Sequence, residues 1–443
     1  MNIEKRDIKI KGYRIETMKL FRFSLFSVFI IVILLFLIKC TPLLSRVVSV
    51  KKIDSPRSAP AGKVEYRDIL EAFENLDFEY IDRNYNVNAN RKQFIKAILL
   101  CMDGNYETAG KELYQLYVSL DESNLKSQVE SILQIILSFQ SKWKEIDLLD
   151  AKDPILSKSV LQELGKRPKV SYIFSEKMQS YKIELDGWSR PLVKVEINGH
   201  MKTFLLDTGY SVTTVQSDIA EEFNMEILSG DKIVGGTYLG RTMESSPAII
   251  KELKIGDVII RNQYVNVSDK KYDNPDWDGV IGWSIIQNLH LELDYRNRLM
   301  HIKKPIKKPV KNRNLFWLRQ PFVKNYNEEG RELYFFLDTG AGLSEIYRKA
   351  IDKNNLDISK YKEQKDKLTD ATGKSQYVNY YIIPEFRLIV DDYIIEFENL
   401  HLNIEPWYSK NMFFKYDGLL GSNVLRYGKI TIDNLNGRFE FEK

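Results

Sequence analysis

Two aspartates, Asp207 and Asp338, each open the tripeptide Asp-Thr-Gly in a chain of 443 residues. Each stands at the end of an apolar run, Thr203-Phe204-Leu205-Leu206 before the first and Leu333-Tyr334-Phe335-Phe336-Leu337 before the second. Such runs read as buried strands, so each carboxylate falls where a strand breaks into a turn. Two carboxylates brought within hydrogen-bonding distance cannot both ionise cheaply; they share one proton and titrate as a pair with separated apparent pKa values. The ionised member can then take a proton from a water between them while the protonated member polarises a carbonyl. That is hydrolytic chemistry without a covalent intermediate. A single Asp-Thr-Gly is more often an ordinary turn, because Asp and Thr side chains bond neighbouring backbone and Gly accepts positive φ. Two copies with matching flanks are not accidental.

The elements that position these aspartates are themselves duplicated. Ahead of the first lies Leu192 to Ile197, then Asn198-Gly199, a two-residue hairpin signal leading into the strand that carries Asp207. A second hairpin follows, turning at Gly256-Asp257, then Asp278-Gly279-Val280-Ile281-Gly282, then Leu291 to Tyr295 and Leu299 to Ile302. The second copy keeps the order: a turn at Glu329-Gly330, Asp338, a hairpin at Asp391-Asp392, Asp417-Gly418-Leu419-Leu420-Gly421, Ile430 to Asp433, and a turn at Asn436-Gly437. One folding unit is present twice. Asp278 and Asp417 recur in register too, but each precedes Gly and an apolar pair, which favours a structural turn over catalysis.

From about Ile183 to the C-terminus these residues resemble the aspartic proteases, retropepsin-like and pepsin-like, whose half-sites join Asp-Thr-Gly to a later apolar-apolar-Gly. The resemblance implies a mainly β, bilobal pseudo-twofold fold with Asp207 and Asp338 as the catalytic dyad. It implies active-site support from Thr208 and Thr339, bonded across the axis, and from Gly209 and Gly340, whose tight backbone brings N–H groups to the carboxylates. Gly282 and Gly421 would close the strands that cross beside the two turns. Two copies in one chain imply the single-chain arrangement, although the short halves look more like retropepsin subunits. One departure is Tyr210, where the family usually has Ala or Ser and the second copy has Ala341. The expected flaps are Gly-containing turns at Gly235-Gly236-Thr237-Tyr238 and Ala371-Thr372-Gly373-Lys374, with Gly236, Tyr238, Thr372 and Gly373 as candidate cover residues. As a tyrosine near glycines, Tyr238 reads equally well as a packing residue.

Composition fits an ordinary globular protein with an added membrane segment. A formal charge of +4 from 65 basic and 61 acidic residues gives no case for a nucleic-acid partner. The Pro-broken basic run from Lys303 to Arg313 lies between the copies and reads as an extended, solvated linker. Cys40 and Cys101 are the only cysteines, and His200, His290, His301 and His401 show no ligand spacing, so neither a metal nor another cofactor is expected.

Phe23 to Ile38 is an apolar stretch broken only by Ser24 and Ser27. As a helix it would be roughly 24 Å long, somewhat short of a hydrocarbon core of about 30 Å. Seven Lys and Arg precede it, an excess that keeps the N-terminus cytoplasmic and sends the remainder across. A second reading starts at Met18 as a signal peptide, and Leu37-Ile38-Lys39-Cys40 then resembles a bacterial lipoprotein box with Cys40 lipidated. Either reading puts the repeats outside the cytoplasm.

Residues 1–45 are thus expected to be tail and anchor or signal, 46–65 a polar spacer, 66–170 a helical domain, 183–302 the first protease half, 303–314 the linker and 315–443 the second half. Within the helical region Leu125, Val129, Ile132, Leu133, Ile136 and Leu137 share one helical face. Gly104-Asn105-Tyr106-Glu107 with Ala97, Leu100 and Ala109 resembles one tetratricopeptide unit; a small bundle fits as well, and either could hold a protein partner. A chain beginning near Ser171 is expected to keep the protease fold. The function implied is a membrane-attached extracytoplasmic aspartic endopeptidase acting on a peptide or protein substrate. The alternatives are an inactive peptide-binding module of the same fold and an adaptor acting through the helices.

Overall fold

The computed structural model describes residues 45–53, 66, 69–77, 80–81, 89–121, 124–149, 151–176, 179–237, 239–268, 277–309, 313–318, 320–370, 374–404 and 414–443. It is mainly β, with helices concentrated between Ile69 and Gly165. The apolar stretch from Phe23 to Ile38, and Cys40 with it, lie outside the described residues. No helix among the described residues is long and apolar enough to cross a membrane.

Each half is built on one central strand. In the first, His200–Leu206 leaves a two-residue turn in which Asn198 and Gly199 both take positive φ, 49° and 90°, the twist that suits a tight hairpin. Its last residues, Phe204, Leu205 and Leu206, are buried. The strand runs parallel to Gly279–Ile281, with Phe204 opposite Gly279 and Leu206 opposite Ile281. In the second half Glu332–Leu337 runs parallel to Gly418–Leu420, with Phe335 opposite Gly418 and Leu337 opposite Leu420. Strands flanked on both sides and covered on both faces read as continuous apolar runs, which is why the two approaches to Asp-Thr-Gly look alike in sequence.

The halves join edge to edge in a five-stranded sheet of order Arg438–Glu442, Lys429–Asp433, His290–Asp294, Leu299–Lys303, Ser180–Lys182. His290–Asp294 and Lys429–Asp433, equivalent strands of the two copies, pair antiparallel with Leu293 opposite Ile430 and His290 opposite Asp433. The junction is therefore itself pseudo-twofold.

Three expected boundaries are redrawn. Residues 46–52, expected within a spacer, form the strand Arg46–Lys52 on the edge of the second-half sheet, with Val50 opposite Ile395. Val47 and Val50 enter the core, and Arg46 and Lys51 pair with Glu398 and Glu396 at 2.7 and 3.2 Å. The basic linker is docked where it is described. Arg313 donates to the carbonyls of Met102 and Asp103 at 2.9 and 2.7 Å, satisfying acceptors that the end of Ala89–Met102 leaves open. The Lys308 N–H donates to Asn436 Oδ1 at 2.8 Å.

The helices share a core with the second half instead of standing apart. Phe73, Phe94, Ile98, Leu113 and Ile132 belong to one buried cluster with Phe322, Phe336, Tyr416 and Leu419. Trp317 is held edge-on by Tyr106 and Phe139, with centroids 5.2 and 4.7 Å away; such pairs contribute about 0.5–1.5 kcal/mol each beyond area burial. Residues 45–443 make one compact unit.

Candidate active site

The two Asp-Thr-Gly turns face one another. The Asp207 N–H donates to Ile281 O at 3.0 Å and the Asp338 N–H to Leu420 O at 3.1 Å, so each turn grows directly out of its parallel strand pair. Between the turns the threonines exchange bonds reciprocally. The Thr208 N–H donates to Thr339 Oγ1 and the Thr339 N–H to Thr208 Oγ1, both at 3.0 Å. Each hydroxyl then donates across the axis, Thr208 to Leu337 O and Thr339 to Leu206 O, both at 2.7 Å. Both threonines are buried, so four bonds lock the turns where water cannot compete for them.

Gly209 and Gly340 are required by the opposite carboxylate. A Cβ on Gly209 would lie 2.6 Å from Asp338 Cγ, and one on Gly340 2.2 Å from Asp207 Cγ. Each carboxyl therefore rests over the other turn's glycine. The Gly209 N–H donates to Asp207 Oδ1 and the Ala341 N–H to Asp338 Oδ1, both at 2.8 Å.

The surroundings of the two carboxyls are unequal. Burial raises both above the usual carboxylate range. Asp338 is pushed well above it, because the charge of Asp207 adds to burial. Asp207 is raised too, but the Gly209 N–H, the bond from Asp338 and the Arg190 charge oppose its burial. The two carboxyls therefore titrate as a pair.

Gly282 and Gly421 sit where the crossing strands brush the turns. A Cβ on Gly282 would meet Tyr210 O at 2.6 Å, and one on Gly421 would meet Leu343 O at 2.7 Å. The short helices that follow catch the turns by their first N–H groups, Trp283 to Tyr210 O at 2.6 Å and Ser422 to Ala341 O at 2.8 Å. The Tyr210 turn thus carries the same bond as its Ala341 counterpart. Its ring packs beside the small apolar cluster of Leu192, Leu205, Trp277 and Val280.

Asp278 and Asp417 are strand clasps. Asp278 Oδ2 accepts the Thr203 N–H at 2.9 Å and Asp417 Oδ2 the Tyr334 N–H at 2.7 Å, each gripping the strand four residues before a dyad aspartate. Of the expected cover residues, Gly236 pairs with Thr242 at the end of its hairpin; Tyr238, Thr372 and Gly373 lie outside the described residues.

Two further pairs belong to the site. Thr213 Oγ1 accepts the Gly282 N–H at 3.1 Å and Ser344 Oγ the Gly421 N–H at 2.9 Å. Both hydroxyls stand six residues after a dyad aspartate, a recurrence visible in the sequence. Arg190 and Asp186 are the second addition. The Asp186 carboxylate, 2% exposed, holds the Arg190 guanidinium at 2.6 Å and also accepts the Trp188 and Arg190 N–H groups at 2.9 Å.

Residues 193–285 match the family described as aspartyl protease, a span that includes the first Asp-Thr-Gly and ends before the second. The match supports a protease-type hydrolase function. A solved structure, the crystal structure of a retropepsin-like aspartic protease from Rickettsia conorii, is similar at 17% identity with a TM-score of 0.23, over 30% of this chain and 96% of that one. No curated protein matches the chain.

Proposed function

We propose that the chain is an aspartic endopeptidase whose single active site joins Asp207 and Asp338 from its two halves. The observation that carries this reading is the reciprocal placement of the carboxyls, each over the opposite glycine, with the threonines cross-bonded beneath. In the reaction proposed, Asp207 takes a proton from a water between the carboxyls as the water oxygen attacks the carbon of the scissile carbonyl. Asp338 donates its proton to the carbonyl oxygen, giving a neutral tetrahedral diol. Asp207 then returns its proton to the amide nitrogen, Asp338 recovers one from a diol hydroxyl, and the C–N bond breaks. Asn in place of either aspartate can neither share the proton nor activate the water. Asp207→Asn and Asp338→Asn are each expected to lower peptide cleavage by about 10³-fold or more while the chain stays folded, read as kcat/KM on a peptide mixture with a parallel melting curve. Full activity in either folded variant would remove the pair from the reaction.

The bond that the Tyr210 carbonyl accepts from the helix after Gly282, as the Ala341 carbonyl does from its counterpart, favours the enzyme over an inactive peptide-binding module. We further propose that the catalytic part lies outside the cytoplasm, attached through the N-terminal segment. The support is the basic excess ahead of the apolar run from Phe23 to Ile38. Met201 is 58% exposed and Cys101 is buried, so Met201→Cys in a chain with Cys40→Ser, read against Cys40→Ser alone, gives a reporter for an impermeant thiol reagent. Labelling of intact cells is expected; labelling only after lysis would place the domain inside.

A further inference from the structure

Each half extends a hairpin toward the other, and the two hairpins are fastened together. In the first, Ile233–Gly236 folds back onto Thr242–Ile255, with Gly235 opposite Met243, and Met243 packs against the same apolar cluster as Tyr210. This end of the hairpin therefore lies by the residue that follows the first Asp-Thr-Gly. In the second, Lys362–Thr369 folds back onto Ser375–Val390, with Thr369 opposite Ser375.

The fastening is a buried carboxylate from one hairpin held by donors from the other. Thr237 Oγ1 donates to Asp370 Oδ2 at 2.7 Å, and Arg241 Nη1 stands 3.4 Å from the same oxygen. Arg241 Nη2 donates to Ser375 O at 3.1 Å. The Asp370 side chain has no solvent exposure and that of Arg241 is 26% exposed. Thr237 and Arg241 are fixed to each other by the Thr237 N–H donating to Arg241 O at 2.8 Å, so the donor side is a closed turn. A buried carboxylate stripped of its partners is costly unless water reaches it. Separating the hairpins breaks these contacts, so neither lifts without losing its hold on the other.

We propose that Arg241, Thr237 and Asp370 are positioning residues for the cleavage proposed above: they join the two covers into one lid that opens and shuts over the dyad as a unit. The proposal rests on the reading of Asp207 and Asp338 as the reacting pair. The device is asymmetric, with the acid on the second hairpin and the donors on the first, so it belongs to a single chain carrying two unequal halves.

The test is amide hydrogen exchange on the substrate-free full chain, which does not depend on peptide cleavage. Asp370→Ala is expected to speed exchange roughly tenfold in both hairpins, including residues 233–245 of the unaltered half, with exchange at Phe204 to Leu206 unchanged as the check on folding. Arg241→Ala and Thr237→Val are expected to release residues 362–378 in the same way, and Arg241→Ala with Asp370→Ala together no further than either alone. The charge-exchanged pair Arg241→Asp with Asp370→Arg is expected to restore part of the protection. On peptide, loss of the clasp is expected to raise KM with kcat held within about twofold. Faster exchange confined to the altered hairpin, or lost kcat at constant KM, would overturn the proposal. Absence of cleavage by the unaltered chain would overturn the peptidase reading alone.

Discussion

At the scale of single residues, the proposed chemistry depends on two facing carboxyls that differ in surroundings. Asp338 is raised well above the usual carboxylate range by burial and by the Asp207 charge. A carboxyl whose folded pKa exceeds its unfolded one stabilises the fold fully below the unfolded pKa and loses that contribution as pH rises through the folded value. At neutral pH the dyad therefore works against stability, by about 1.4 kcal/mol for every tenfold by which folding weakens the acid. Asp338→Asn is expected to melt above the unaltered chain at neutral pH and to lose that advantage near about pH 3, where the acid is protonated folded or unfolded. A lower melting temperature at neutral pH, or an equal gain in acid, would contradict a raised Asp338. Asp207, Asp338 and their threonines and glycines were legible because each motif is contiguous and recurs. Thr213 and Ser344 were legible in principle from their equal spacing to the aspartates. Arg190 was not, because its charge reaches Asp207 through the fold of the loop from Asp186 to Arg190, and nothing local to Asp207 announces it.

At the scale of elements, the sequence located what has a local signature and missed what depends on distant partners. The hairpin at Asn198-Gly199 and the helix Asn124–Phe139 follow from turn chemistry and periodicity, and the structure contains both. The strand Arg46–Lys52 was hidden because its partner, Tyr393–Asn403, lies far along the chain and a Pro-containing stretch follows it. The docked linker was hidden likewise, since Arg313 reads as solvated until the carbonyls of Met102 and Asp103 are beside it. The shared core also changes what a shortened chain should do. A chain beginning at Ser171 uncovers Phe322, Phe336, Tyr416 and Leu419, at about 1.5–3 kcal/mol for each large apolar side chain returned to water. The expectation of an independent protease fold therefore gives way to one of aggregation, relieved when residues from 66 onward are restored. A soluble, cooperatively melting chain from Ser171, measured by light scattering and calorimetry, would show that the helices are dispensable.

At the scale of the whole molecule, duplication has been used to build one asymmetric machine. Equivalent strands, His290–Asp294 and Lys429–Asp433, meet antiparallel at the junction, and equivalent turns meet at the dyad. The symmetry is not complete. The helices cover second-half residues that include Trp317, the Arg190 charge of the first half bears on Asp207, and Asp370 and its donors Thr237 and Arg241 lie on different halves. The repeat showed one folding unit present twice, whereas these asymmetries were not legible, because each arises from a contact between segments that look unrelated in sequence. If the proposed site forms by folding of one chain, its activity should not depend on association between chains. The most direct measurement is peptide cleavage by an equimolar mixture of Asp207→Asn and Asp338→Asn chains beside the unaltered protein. One active site per chain leaves the mixture dead while the unaltered chain cleaves with the same specific activity at every dilution. Recovery of activity on mixing, from pairs of intact like halves, would contradict it.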